Sequence, residues 1–153
     1  HQALDELMDV HAGTGGARVV VITGAGGHFC AGADLSGVED AGFTDRLREV
    51  LAALRDDPRP HVAAVDGVAL GLGTQLAVAC DLRVATPAAR FGVPAAKLGL
   101  LVDHWSIQRL SLLAGAGPAR AMLLGGEICS GEEAHGLGFV QRVGDLDVAL
   151  GWA

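Results

Sequence analysis

Asp66-Gly67-Val68-Ala69-Leu70-Gly71-Leu72-Gly73-Thr74-Gln75-Leu76-Ala77-Val78-Ala79-Cys80-Asp81 is the stretch on which the reading of the fold turns. It follows His61-Val62-Ala63-Ala64-Val65, an apolar run without alternation, as expected of a parallel strand covered on both faces, and Asp66-Gly67 closes that strand. Leu72 to Cys80 is apolar almost all round, which predicts a buried helix, and Asp81 to Thr86 supplies the next strand. Gly71 and Gly73 sit where the helix opens, and small residues there let backbone approach a bound molecule closely.

Working outward, Gln2 to Val10 places Leu4, Leu7 and Met8 at helical spacing, and Gly13-Thr14-Gly15-Gly16 ends that helix. Arg18 to Thr23 predicts a second buried strand, followed by a loop from Gly24 to His28. Phe43 to Arg55 sets Phe43, Leu47, Val50, Leu51 and Leu54 on one helical face, and Pro58-Arg59-Pro60 stops it before His61. Downstream, Pro87 and Pro94 bracket an extended piece, Arg90-Phe91-Gly92. Two helices, His104 to Leu113 and Pro118 to Leu124, are separated by Gly115-Ala116-Gly117. Ser130-Gly131-Glu132-Glu133 reads as an N-capped helix start, Phe139 to Val143 as a strand, and Asp147 to Ala153 as the opening of another helix. Strands alternating with helices predict an α/β domain with a largely parallel sheet, and 153 residues suit one domain over 1–153.

Half of the residues are apolar, enough for a sizeable core. The formal charge of −7, with 18 acidic against 11 basic residues and Lys97 the only lysine, argues against nucleic acid or an anionic membrane as partner. Cys30, Cys80 and Cys129 stand far apart, so neither a disulfide framework nor a zinc site is indicated, and no metal-ligand spacing is evident. No apolar run reaches the roughly 18 residues of a membrane-spanning helix. These features predict a cytoplasmic protein without direct membrane insertion.

Val19-Val20-Val21-Ile22-Thr23-Gly24-Ala25-Gly26-Gly27 invites a dinucleotide-binding reading, but the glycine spacing is wrong, no helix opens there, and the chain has no tyrosine. A more specific signal is a pair of segments. Cys30-Ala31-Gly32-Ala33-Asp34-Leu35 and Gly71-Leu72-Gly73-Thr74-Gln75 each follow an apolar strand. Together they could set two backbone N–H groups on one carbonyl oxygen, the arrangement that stabilises an enolate or oxyanion.

On these two segments the chain resembles the crotonase superfamily of enoyl-CoA hydratases and isomerases. Ala89-Arg90-Phe91-Gly92-Val93-Pro94 and Gln108-Arg109-Leu110 extend the resemblance over nearly the whole chain. It implies the crotonase (ClpP-like) fold of stacked ββα units. An amino-terminal strand hairpin and carboxy-terminal trimerisation helices are absent, so the expectation is a domain truncated at both ends. The resemblance also implies a homotrimer or hexamer that takes an acyl-CoA thioester as its ligand, with no further cofactor.

By position, the family's oxyanion donors correspond to the N–H groups of Ala33 and Leu72. Leu72 replaces the usual glycine and sets an isobutyl group near the thioester. Ala31, Asp34 and Leu35 would line the pantetheine and thioester path, and Gln75, Pro94, Ala95 and Val102 the rest of the ligand site. The two hydratase glutamates correspond to Gln75 and Ala95. A neutral amide orients water but does not serve as a base near neutral pH, so efficient hydration is not expected.

Asp103 falls where dienoyl-CoA isomerases carry an aspartate. Two readings stand: a proton-shuttling catalytic residue, or an N-cap for the helix beginning near His104. Asp103-His104-Trp105-Ser106-Ile107-Gln108-Arg109-Leu110 also resembles actinobacterial crotonase-like proteins that lack both glutamates, a group associated with long acyl-CoA chains in mycolic-acid metabolism. His28 and His104 lie near the site by sequence, while His61, at a strand start, reads as structural. Cys30 reads as a small core residue, and Arg18 and Lys97 either as CoA-phosphate contacts or as surface charge. Three functions follow: an acyl-CoA-binding protein with hydration lost, an isomerase or slow hydratase using Asp103, and a partner-docking module whose pocket Leu72 blocks.

Overall fold

A computed structural model describes residues 2–32 and 41–153. Its seven strands and seven helices run in the order α1 (Gln2–Gly13), β1 (Val20–Thr23), α2 (Ala41–Asp56), β2 (His61–Val65), β3 (Val68–Leu70), α3 (Leu72–Ala79), β4 (Leu82–Ala85) and β5 (Arg90–Gly92). After a 3₁₀ turn over Pro94–Leu98 come α4 (His104–Ala114), α5 (Ala116–Gly125), β6 (Ile128–Ser130), α6 (Gly131–Gly136), β7 (Arg142–Val143) and α7 (Leu146–Trp152).

Four strands form one parallel sheet in the order β1-β2-β4-β7. Every residue of β2 is buried, and the reason is visible on its two faces. Val62 and Ala64 pack with Val84, Ala149 and Trp152 beneath α7, while Ala63 and Val65 turn into the main core with Val50, Leu51, Leu54, Leu76 and Val78. A strand covered on both faces has no polar positions to alternate, which is why its sequence is an unbroken apolar run.

A second sheet, β3-β5-β6, pairs β3 with β5 in parallel and β5 with β6 antiparallel. The sequence reading anticipated neither β3 nor β6. Each is three residues long, too short to carry a period, and each is held by its neighbours rather than by its own pattern. Helix α3 is buried from Gly73 to Ala79, as its all-round apolar sequence predicts, and packs against α2, α4 and both sheets.

The strand predicted over Phe139–Val143 is confined to Arg142–Val143. A buried guanidinium explains the difference. Arg83 in β4 is fully buried and donates to the carbonyl oxygens of Ala77, Cys80, Asp81 and Phe139 and to Gln141 Oε1. Residues 139–141 therefore wrap the arginine instead of extending the sheet. Burial lowers the Arg83 pKa to about 10, so the side chain stays charged at neutral pH.

Candidate active site

The loop that follows β1 returns to lie along the edge of the second sheet. The N–H groups of Phe29 and Cys30 donate to the carbonyl oxygens of Asp66 and Val68, both at 2.9 Å, and Leu70 N–H donates back to Cys30 O at 3.0 Å. Cys30 and Ala69 thus form an isolated parallel bridge. Helix α3 starts against the same segment, and a Cβ on Gly73 would lie 2.1 Å from Cys30 O, so only glycine permits this approach. The two glycine-bearing segments singled out in the sequence are therefore side by side as far as Gly32. Ala33, Asp34 and Leu35 lie outside the described residues.

The start of α3 is pinned from the other side by Thr74, a residue the sequence reading passed over. Its buried hydroxyl donates to Ala69 O at 2.6 Å, with Gly92 O 3.0 Å away, and accepts from Gly92 N–H at 3.1 Å. Gly71, at the N-cap with φ 55°, donates its own N–H to Gly92 O at 2.8 Å. Among the described residues no side chain caps this helix. Leu72 N–H, in the first turn, thus has neither an intrahelical acceptor nor a cap. The Leu72 side chain is half-buried and packs against the main core.

One turn further along α3, Gln75 meets the start of α4. Its Nε2 donates to Asp103 Oδ2 at 3.0 Å and to Ser106 Oγ at 3.3 Å. Ser106 gives its hydroxyl proton to the same Asp103 oxygen at 2.6 Å, and the other oxygen, Oδ1, accepts from Ser106 N–H at 2.9 Å. Asp103 is therefore an N-cap of α4 and the acceptor of a buried amide at once. A carboxylate facing Gln75 identifies the nitrogen end of the amide, because an ionised carboxylate only accepts. Gln75 Oε1 makes no hydrogen bond among the described residues. Ser106 was also unremarked in the sequence, although its place three residues after a capping aspartate is the expected partner position.

Beside Gln75 is a cleft of about 10 Å³, room for about one water, lined by Val78, Val93, Val102, Ser106, Leu110 and Leu123 together with Thr74. Ala95 is half-buried against the core and Pro94 begins the 3₁₀ turn; Ala31 is exposed. A larger cavity of about 210 Å³ lies elsewhere, at the carboxyl ends of β1 and β2, among Thr23, Gly24, His28, Asp66, Asp145 and Leu146. Part of its polar lining is engaged: His28 Nδ1 accepts from Val68 N–H, and Asp66 Oδ1 accepts from Gly67 N–H and the Thr86 hydroxyl. Polar groups converging on a cleft, more than volume, mark a binding site, and at the start of α3 Leu72 N–H and Gln75 Oε1 are available while Gln75 Nε2, Asp103 and Ser106 bond to one another.

Of the remaining candidates, Lys97 donates to Gly126 O at the end of α5, where a cation suits the helix terminus, and Arg18 is exposed. Cys30 is half-buried.

The sequence of residues 1–150 matches the family model described as Enoyl-CoA hydratase/isomerase. The chain belongs to that family. It is 49% identical to "Probable enoyl-CoA hydratase echA6" of Mycobacterium tuberculosis over 155 aligned positions, covering 99% of this chain and 64% of that protein. It is 35% identical to "Probable enoyl-CoA hydratase" of Bacillus subtilis, over 97% of this chain and 60% of the relative. Among solved structures, a putative enoyl-CoA hydratase/isomerase family protein from Hyphomonas neptunium superposes with a TM-score of 0.86 at 33% identity, covering 98% of this chain and 62% of that one. The enoyl-CoA hydratase from Bacillus anthracis gives 0.85 at 33% identity, over 97% and 62%. The fold is accordingly the crotonase fold, and the chain spans a little under two thirds of the length of these relatives.

Proposed function

We propose that this protein binds acyl-CoA thioesters and that the hydration chemistry of its family has been lost from it. The observation that carries the reading is Gln75. Hydration needs one group to take a proton from water and another to deliver one to carbon, and each such group contributes about 10²–10⁴ in rate. Where the family motif has a glutamate, this chain has an amide whose nitrogen is committed to Asp103 and Ser106. Ala95 supplies no second acid.

In this reading the thioester carbonyl is gripped by Leu72 N–H, at a helix start whose dipole favours negative charge, and by Ala33 N–H. Ala31, Asp34, Leu35 and Pro94 line the pantetheine path and Val102 the acyl end, where the cleft holds about one water and the side chains around it must part to admit an acyl chain. The packing of the Leu72 side chain against the core supports an open thioester path over a blocked one. The resemblance of Asp103 to Leu110 to actinobacterial crotonase-like proteins favours a long-chain acyl group, in fatty acid or mycolic acid metabolism. Leu112 and Leu124, 75% and 74% exposed on α4 and α5, favour a homo-oligomer, a trimer or hexamer. No helix among the described residues is long and apolar enough to cross a membrane, and with three free thiols the reading adds a cytoplasmic setting. The thioester is the only ligand the reading requires.

A second reading has one observation in its favour: the Asp103 carboxylate lies within 3.0 Å of Gln75, close enough to the start of α3 to exchange a proton with a bound enoyl group. One experiment addresses both. Calorimetric titration with acyl-CoAs of increasing chain length is expected to show binding, and crotonyl-CoA is expected to remain unhydrated. Absence of affinity for every acyl-CoA would overturn both readings, and hydration at an ordinary enzymatic rate, about 1–10³ s⁻¹, would overturn the first. Dienoyl-CoA isomerisation lost on Asp103→Asn would select the second.

A further inference from the structure

Away from the α3–α4 junction, three side chains from three elements converge at the amino end of β2. His11 closes the last turn of α1, Asp57 directly follows α2, and His61 opens β2. His11 Nε2 lies 3.1 Å from His61 Nε2 and 2.9 Å from Asp57 Oδ2, and His61 Nε2 lies 3.9 Å from the same oxygen. The ring centroids are 5.2 Å apart, so the Nε2 atoms are the parts of the two rings that approach each other. Three donor atoms with these separations share a point about 2.0 Å from each, the length of a zinc–imidazole or zinc–carboxylate bond.

We propose that His11, Asp57 and His61 form a binding site for a divalent transition-metal ion of the zinc class, tying the ends of α1 and α2 to the start of β2.

The protonation chemistry supports a cation there. His61 Nδ1 faces Arg59 O at 2.9 Å, and a carbonyl only accepts, so Nδ1 carries the proton and Nε2 presents its lone pair inward. His61 is fully buried, so its ring is held in this orientation. Asp57 is ion-paired with the Arg59 guanidinium beside it. A single proton on His11 Nε2 must then serve both His61 Nε2 and Asp57 Oδ2. Asp57 Oδ2 also accepts from Arg59 Nη2 and Nε, so the acceptor left short of a donor is His61 Nε2, and a cation at this point satisfies it.

Arg59 donates to both oxygens of the Asp57 carboxylate, Oδ2 included, and also to Thr14 O and Thr14 Oγ1, fixing the Asp57 orientation as an outer-shell partner does. Its positive charge opposes a second cation and moderates the affinity. The side chains of His11 and Asp57 are 12% and 8% exposed, so ion entry is from the surface, and water completes the coordination. Two imidazoles and one carboxylate suit zinc, copper, nickel or cobalt over magnesium or calcium.

The test uses intact protein stripped with a chelator, with zinc alone as the probe. Calorimetry is expected to find one zinc per chain, with a raised unfolding temperature, and His11→Gln is expected to weaken binding at least about 100-fold. Cobalt substitution is expected to give the visible ligand-field absorption of a low-symmetry nitrogen–oxygen site. His11 and Asp57 are the positions to vary, because a change at buried His61 risks the fold itself. Absence of zinc binding in the parent, absence of the cobalt absorption, or binding undiminished in both His11→Gln and Asp57→Asn would overturn the assignment.

Discussion

Asp103 has both carboxylate oxygens engaged by its own neighbours, one by the backbone of α4 and one by Ser106 and Gln75. Its two roles separate by substitution. Asp103→Ala removes the cap and the acceptor of Gln75 and is expected to cost at least about 0.5–2 kcal/mol in urea unfolding, whereas Asp103→Asn keeps the cap but sets an NH2 group against Gln75 Nε2 and is expected to cost less than Asp103→Ala. The same contact decides what a restored glutamate would do. Gln75→Glu sets two carboxylates about 3 Å apart, so one of them is pushed to hold a proton. Hydration is therefore expected to stay absent in that single variant, as read by conversion of crotonyl-CoA. Its appearance would mean that Asp103 is no obstacle to the reaction. Sequence alone singled out Gln75 and Asp103, each from its motif, but not the bond between them. They are 28 positions apart on different helices, and only the crossing of α3 with α4 makes them partners.

Among the elements, α6 shows how a short helix is held by its ends. Ser130 and Glu133 form a reciprocal capping box, Ser130 Oγ accepting from Glu133 N–H and Glu133 accepting from Ser130 N–H. The Ser130 backbone N–H, foremost, and its hydroxyl hold the Glu133 carboxyl below its ordinary value. A carboxylate with a depressed folded-state pKa stabilises fully above its unfolded value of about 4.5, and that contribution is lost as pH falls through the folded value. Glu133→Gln is therefore expected to flatten the acid limb of stability measured by thermal unfolding below about pH 4.5, with an unchanged slope counting against the cap. This box was legible as Ser-Gly-Glu-Glu before any coordinates, because all its partners lie within four residues. Strands β3 and β6 were not, because their hydrogen bonds go to segments 20 or more residues distant.

At the scale of the whole molecule, Arg83 joins α3, β4 and residues 139–141 through five acceptors. Arg83→Met keeps much of the volume but takes the guanidinium donor from the Ala77, Cys80 and Asp81 carbonyls, while Phe139 O keeps Gln141 Nε2 and Gln141 Oε1 keeps the Arg83 N–H, so a loss of about 3 kcal/mol or more is expected in urea unfolding. A loss below about 1 kcal/mol would mean that water replaces the guanidinium. The parallel sheet itself was legible, since β2 buries alternate residues on opposite faces and its sequence records that directly. The His11–Asp57–His61 cluster was not: its members come from three elements and have no common spacing.

The bridge between Cys30 and Ala69, with β5 and β6 beyond it, has a kinetic consequence. The seat of α3 is assembled from four pieces of chain spread over a hundred residues, from Phe29 to Ser130. Pairings of such sequence separation must wait for large loops to close, and they form late. The start of α3 is thus completed near the end of folding, and a chain arrested before Ser130 would carry its sheet-forming strands β1, β2 and β4 without a finished seat for α3.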